Sequence, residues 1–165
     1  MTDYALDELS VLIVDDSKHM RKLVRTIVNS LGILDVLEAE DGEHAYETLE
    51  NFPADIIIVD WNMAPMDGIE FTRQVRMNDD SPNAYVPIIM LTGHTQMKRV
   101  QIARDAGVNE FLAKPVSARK IYQRIHAILE KPRQFIRTPS YFGPDRRRKN
   151  DPEYTGKERR NQPDR

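Results

Sequence analysis

Asp15, Asp16, Asp60, Thr92 and Lys114 each stand directly after, or close, a short apolar run in this chain of 165 residues. The runs are 11–14, 56–59, 86–91 and 110–113. An aspartate ahead of a helix is usually an N-cap, and Lys-Pro is common in loops, so none of the five is informative alone. Together they gather three carboxylates, a hydroxyl and an ammonium. Two unit charges about 4 Å apart repel by about 4 kcal/mol at an effective dielectric near 20, so such a cluster needs protons or a counter-ion. The set holds no histidine or cysteine, which disfavours zinc and copper and favours a hard divalent cation such as Mg²⁺ held by oxygens. Phosphoryl transfer fits: a carboxylate nucleophile, with metal and ammonium neutralising the equatorial oxygens.

The positioning elements follow from hydrophobic periodicity. Five apolar runs, at 11–14, 35–38, 56–59, 86–91 and 110–113, alternate with helical patterns, and three are continuous enough for strands buried on both faces. Met20, Leu23, Val24, Ile27, Val28 and Leu31 recur on one helical face, and Ile121, Ile125, Ile128 and Leu129 on another. Gly32 and Gly107 suit helix C-terminal caps. Fivefold strand–helix alternation predicts an α/β fold, a doubly wound five-stranded parallel sheet covered by five helices. Ligands bind such sheets at the carboxyl ends of the strands, where all five residues fall.

Composition limits the alternatives. There is no cysteine, hence no disulfide, thiolate metal site or cysteine nucleophile. No apolar run reaches the 18 to 20 or so residues of a membrane helix, and the start Met1-Thr2-Asp3-Tyr4 is not that of a signal peptide; the expected location is cytoplasmic. The net charge of −2 conceals a split. Residues 1–130 carry 13 Lys+Arg and 21 Asp+Glu, net −8, whereas residues 131–165 carry 11 and 5, net +6. The second segment has only Phe135, Ile136, Tyr141, Phe142 and Tyr154 as large apolar or aromatic residues. It is expected to be a basic, mostly disordered tail behind a body at 1–130.

Asp15-Asp16, Val59-Asp60-Trp-Asn-Met63, Met66-Asp67-Gly68, Leu91-Thr92-Gly93 and Lys114-Pro115 resemble the receiver domain of bacterial response regulators, of the single-domain chemotaxis type, over about residues 8–130. The resemblance implies a flavodoxin-like sheet of order 2-1-3-4-5. It implies that Asp60 is the phosphoacceptor and that Asp15, Asp16, Asp60 and the backbone carbonyl of Asn62 hold Mg²⁺. Thr92 would bond a phosphoryl oxygen, Lys114 would pair with the phosphoryl group, and the Lys114–Pro115 bond would be cis. Thr92 and Phe111 take the places of the switch residues, and Asn62 and His94 those that tune attack by water. Two departures stand out: Met63-Ala64-Pro65 moves the usual proline one place along, and Phe111 lacks the hydroxyl of the commoner tyrosine.

The tail repeats Tyr141-Phe-Gly-Pro-Asp-Arg146-Arg147 after 13 residues as Tyr154-Thr-Gly-Lys-Glu-Arg159-Arg160. Arginine pairs beside an aromatic suit phosphate or carboxylate recognition, so Tyr141, Arg146, Arg147, Tyr154, Arg159 and Arg160 are candidate recognition residues. The leading expectation is a two-component response regulator, not an enzyme in its own right. A histidine kinase or histidine phosphotransfer protein would phosphorylate it, and phosphorylation would switch binding to a downstream protein. The expected state is a monomer or weak dimer. The alternative is a protein that binds nucleic acid or an acidic partner through the tail. A flavin-binding role fits poorly, because the carboxylates would repel a flavin phosphate.

Overall fold

The computed structural model describes residues 5–93 and 97–146. After a 3-10 turn at Leu6–Glu8, the elements run β1 (Ser10–Val14), α1 (Lys18–Ser30), β2 (Asp35–Ala39), α2 (Gly42–Asn51), β3 (Ile56–Asp60) and α3 (Gly68–Met77). They continue with β4 (Ile88–Thr92), α4 (Met97–Ala106), β5 (Glu110–Ala113), α5 (Ala118–Glu130), β6 (Phe135–Thr138) and β7 (Tyr141–Pro144).

The first five strands form one parallel sheet in the order β2-β1-β3-β4-β5, as the resemblance implied. Alternate residues of each central strand serve two separate cores. Leu12, Val14, Ile57, Val59, Ile88 and Met90 pack beneath α2, α3 and α4 with Phe71 and Val75. Val11, Ile13, Ile56, Ile58, Ile89 and Leu91 pack beneath α1 and α5 with Val24, Val28, Ile121 and Ile125. Every residue of β3 is buried, so this strand has no solvent face and its last residue is delivered to the middle of the sheet's carboxyl edge.

Local chemistry sets the helix ends. Ser17, Asp41, Asp67 and Ser117 accept N-cap bonds from Met20, His44, Glu70 and Lys120. Gly32 and Gly107 adopt φ of +98° and +106°, the left-handed geometry expected where helices stop. The predicted face of α1 is narrower than its pattern suggested. Val24 and Val28 are buried and Met20, Ile27 and Leu31 pack at the edge, but Leu23 is 40% exposed.

The clearest departure from the sequence reading lies beyond α5. Residues 135–144 are not part of a disordered tail: β6 and β7 form an antiparallel hairpin that packs on α3 and α4. Tyr141 and Phe142 are buried, and Phe142 lies 5.1 Å from the ring of Tyr85 and 5.5 Å from that of Phe135. Beneath them Arg76, 1% exposed, stacks on Phe135 and donates to the carbonyls of Gly107, Ala84 and Val86 and to Asn109 Oδ1. Composition missed the hairpin because its apolar surface is completed by the body. The three aromatics are too few for a core of their own but enough to cover Arg76 and pack on the ring of Tyr85. Residues 147–165, including Arg147, Tyr154, Arg159 and Arg160, lie outside the described residues.

Candidate functional site

The carboxyl ends of β1 and β3 bring Asp15, Asp16 and Asp60 together, with ligand oxygens all within 4.8 Å of one another. Asp15 and Asp60 are buried and Asp16 faces solvent. None of the three is spent as a helix cap, because Ser17 caps α1 and Asp67 caps α3. The loop after β1 is held at several atoms. Asp15 N–H donates to the Ala39 carbonyl, and Asp15 Oδ1 accepts from Ser17 N–H. The loop after β3 is closed by Gly68 N–H donating to the Trp61 carbonyl. Gly68 must approach this closely: a Cβ there would sit 2.4 Å from the Asp60 carbonyl oxygen.

Thr92 ends β4 beside this cluster and is buried, while Lys114 directly follows β5. Lys114 Nζ lies 2.8 Å from Asp60 Oδ1, and its N–H donates to the Thr92 carbonyl. The Lys114–Pro115 bond is cis, and so is Ala64–Pro65. Burial pushes the Asp15 carboxyl up to about 6, reinforced by the charge of Asp60 and opposed by the Ser17 N–H. Burial likewise raises Asp60, opposed by the hydrogen bond and charge of Lys114. Two buried acids strained toward protonation beside a third describe a site that relaxes on gaining positive charge. Asp15 Oδ2, buried without a hydrogen-bond partner among the described residues, marks where a cation would sit. Oxygen-only donors and a mixed buried and exposed geometry fit Mg²⁺, which keeps several of its waters.

Residues 11–126 match the response regulator receiver domain family. The chain belongs to that family. It is 37% identical over 122 residues to the chemotaxis protein CheY1 of Helicobacter pylori, covering 73% of this chain and 97% of that protein. The structure of the Vibrio cholerae chemotaxis protein CheY4 is matched with a TM-score of 0.67 at 32% identity, over 73% of this chain and 98% of that one. The receiver domain of a Pseudomonas aeruginosa sensor histidine kinase is matched with a TM-score of 0.66 at 26% identity, over 74% and 98% of the two chains. That structure holds a magnesium ion in its active site cleft. The chain is thus a two-component response regulator receiver. The hairpin at 135–144 lies beyond the part of the receiver that the family match covers.

In this receiver Phe111 is half-buried on β5, at the edge of the core beneath α4. Asn62 is exposed beside the acids, and His94 lies outside the described residues. Sequence reasoning passed over Trp61, which directly follows Asp60 and reaches Phe111. Its ring is buried, meets Phe111 edge to face at 6.4 Å and carries Arg99 at 5.2 Å on its face. The signal was available, since Trp61 directly follows Asp60 and is the chain's one tryptophan. Tyr141 and Arg146, read as recognition residues, make contacts within the folded chain. Tyr141 donates its hydroxyl hydrogen to the Pro144 carbonyl at 2.7 Å, and Arg146 stacks on the Tyr141 ring and pairs with Asp105.

Among the described residues no helix is long and apolar enough to cross a membrane.

Proposed function

We propose that Asp60 is the phosphoacceptor of this receiver and that its phosphorylation, with Mg²⁺ bound at Asp15, Asp16 and Asp60, switches the surface around Phe111 between partner-binding states. The observation that carries this reading is the convergence on Asp60: two further carboxylates on one side and the Lys114 ammonium 2.8 Å away on the other. An Asp60 carboxylate oxygen attacks the phosphorus of a phosphohistidine on a histidine kinase or phosphotransfer protein. The new O–P bond forms as the N–P bond breaks, and the imidazole leaves with the bonding electron pair. Asp15, Asp16, Asp60 and the Asn62 carbonyl would hold Mg²⁺, which when bound would supply positive charge to the phosphoryl oxygens. Lys114 holds a phosphoryl oxygen by charge, and Thr92 donates its hydroxyl hydrogen to another. The protein acts as an acceptor that promotes its own phosphorylation and dephosphorylation rather than as an enzyme on an external substrate.

The output has a physical route. Thr92 ends β4, Lys114 directly follows β5, and Phe111 lies on β5 three residues before Lys114. Beside Phe111 a groove of about 240 Å³ is lined by Val100, Ala103, Arg104, Glu110, Arg124 and Arg133. Its guanidiniums favour a downstream protein that presents carboxylates.

Incubation with acetyl phosphate and Mg²⁺ followed by intact-mass measurement tests the assignment. Wild type should gain one phosphoryl group and Asp60→Asn none. Undiminished phosphorylation of Asp60→Asn would overturn it.

A further inference from the structure

The peptide group between the two neighbouring acids of the site is gripped from outside it. Arg21, in the first turn of α1, donates from Nη1 to the carbonyl oxygen of Asp15 at 2.8 Å. Its Nε lies 3.3 Å from Glu38 Oε1 on β2. The other oxygen of Glu38 takes Nη1 of Arg25, one helical turn later, whose Nη2 donates to the Val36 carbonyl at 2.8 Å. Arg21 and Glu38 are only 14% and 27% exposed, so solvent screens this pair less than an ordinary surface pair.

We infer that Arg21 is a positioning residue for metal binding: by fixing the Asp15–Asp16 peptide plane against β2 it aims the Asp15 and Asp16 carboxylates at the cation. The carbonyl of Asp15 and the carboxylate of Asp16 belong to consecutive residues, so rotation of that peptide moves the Asp16 side chain as a body. The bond from Ser17 N–H to Asp15 Oδ1 closes a ring through this peptide and limits the rotation from within, but neither it nor the Asp15 N–H on Ala39 holds the peptide's own carbonyl. The Arg21 bond holds that carbonyl from outside the ring. Glu38 in turn holds the guanidinium at the angle from which Nη1 meets the carbonyl. Groups that orient metal ligands in this way typically change affinity by about 10- to 100-fold when removed.

The sign of the effect separates positioning from charge. Arg21 is a cation near a cation site, so deleting its charge alone would tighten Mg²⁺ binding by relieving repulsion. Loss of positioning weakens it. Arg25 is the internal control, carrying the same charge and the same Glu38 partner but no bond to Asp15.

The inference rests on the Mg²⁺ site proposed above, and the experiment separates the two. Mg²⁺ is titrated into the full-length protein and followed by the fluorescence of Trp61, the neighbour of Asp60, with metal-free melting temperatures recorded to confirm folding. Wild type should show a saturable response. Arg21→Met, which keeps the aliphatic packing, should bind Mg²⁺ about tenfold more weakly. Arg21→Lys, which restores a donor within reach of the carbonyl, should recover much of the loss, and Arg25→Met should bind as tightly as wild type or tighter. Arg21→Met binding as well as wild type would overturn the positioning role while leaving the metal site standing. No saturable response in wild type would overturn the metal site and the positioning role with it. Equal weakening in Arg21→Met and Arg25→Met would assign the effect to Glu38 and the edge of β2, against the inference.

Discussion

Phe111 stands edge-on to Trp61, ring centroids 6.4 Å apart and planes at 83°, so the residue proposed as the switch touches the one directly after the proposed phosphoacceptor Asp60. Edge-to-face pairs of this kind contribute about 1 kcal/mol beyond their buried area. Motion of Phe111 therefore has to break or remake a contact with Trp61. Beryllofluoride with Mg²⁺ should change Trp61 emission in wild type, and Phe111→Ala should reduce the part of that change not produced by Mg²⁺ alone. An identical spectral response in Phe111→Ala would show that the ring contact does not take part in switching.

Lys114→Ala should still accept a phosphoryl group at Asp60 but lose most of the phosphorylation dependence of partner binding. The ammonium ties Asp60 to the residue that directly follows β5, the strand that carries Phe111. The same substitution should strengthen Mg²⁺ binding, because a cation 2.8 Å from Asp60 Oδ1 competes with the metal for that carboxylate. Unchanged Mg²⁺ affinity together with an intact switch would remove Lys114 from both roles.

Acidification should release the metal. The Asp15 carboxyl is raised to about 6, chiefly by burial, and Mg²⁺ needs it ionised. Above pH 7 the carboxylate is ready for metal; as pH falls through 6 a proton competes, and affinity should fall about tenfold per pH unit below it. In the metal-free protein the sign is reversed. An acid whose folded value lies above its unfolded one costs stability at neutral pH, and that cost fades as pH falls from about 6 toward 4. Mg²⁺ titrations at pH 5, 6, 7 and 8 check the first part, and metal-free melting over the same range the second. An Mg²⁺ affinity independent of pH would contradict the environment described for Asp15.

The hairpin should stabilise the body to which it is tied. Phe142→Ala removes a buried ring that packs on Tyr85 and Phe135, at a cost of about 3 kcal/mol if the hairpin stays docked. Detachment limits the cost to the docking free energy, so the two routes are separable. Thermal unfolding of Phe142→Ala and of a chain ending at Glu130 should both show lower melting temperatures, by about 3 °C per kcal/mol, with the truncation at least as low. A truncated chain as stable as the full chain would show that β6 and β7 add nothing to the fold.

The alternation of apolar runs and helical faces determined the sheet and its five covering helices, because burying both faces of β3 leaves few sequences other than continuous aliphatic ones. The five site residues were equally legible: a parallel sheet presents every strand's carboxyl end on one edge, so a residue's place just after a run already fixes its neighbourhood. Distances within that edge were not legible. Only the packed structure set Lys114 against Asp60, left Asp15 Oδ2 buried without a partner, and tied Arg21 to the Asp15 carbonyl across to Glu38 on β2. The Lys114–Asp60 and Arg21–Glu38 contacts join residues distant in the chain, and no local pattern encodes them. The hairpin shows the same division most sharply. Phe135, Tyr141 and Phe142 look too sparse to fold when read along the chain, because composition counts only what a segment can bury within itself. Arg76, Tyr85 and the corner at Gly107 supply the other half of that surface, and it exists only once α3, α4 and the sheet have come together.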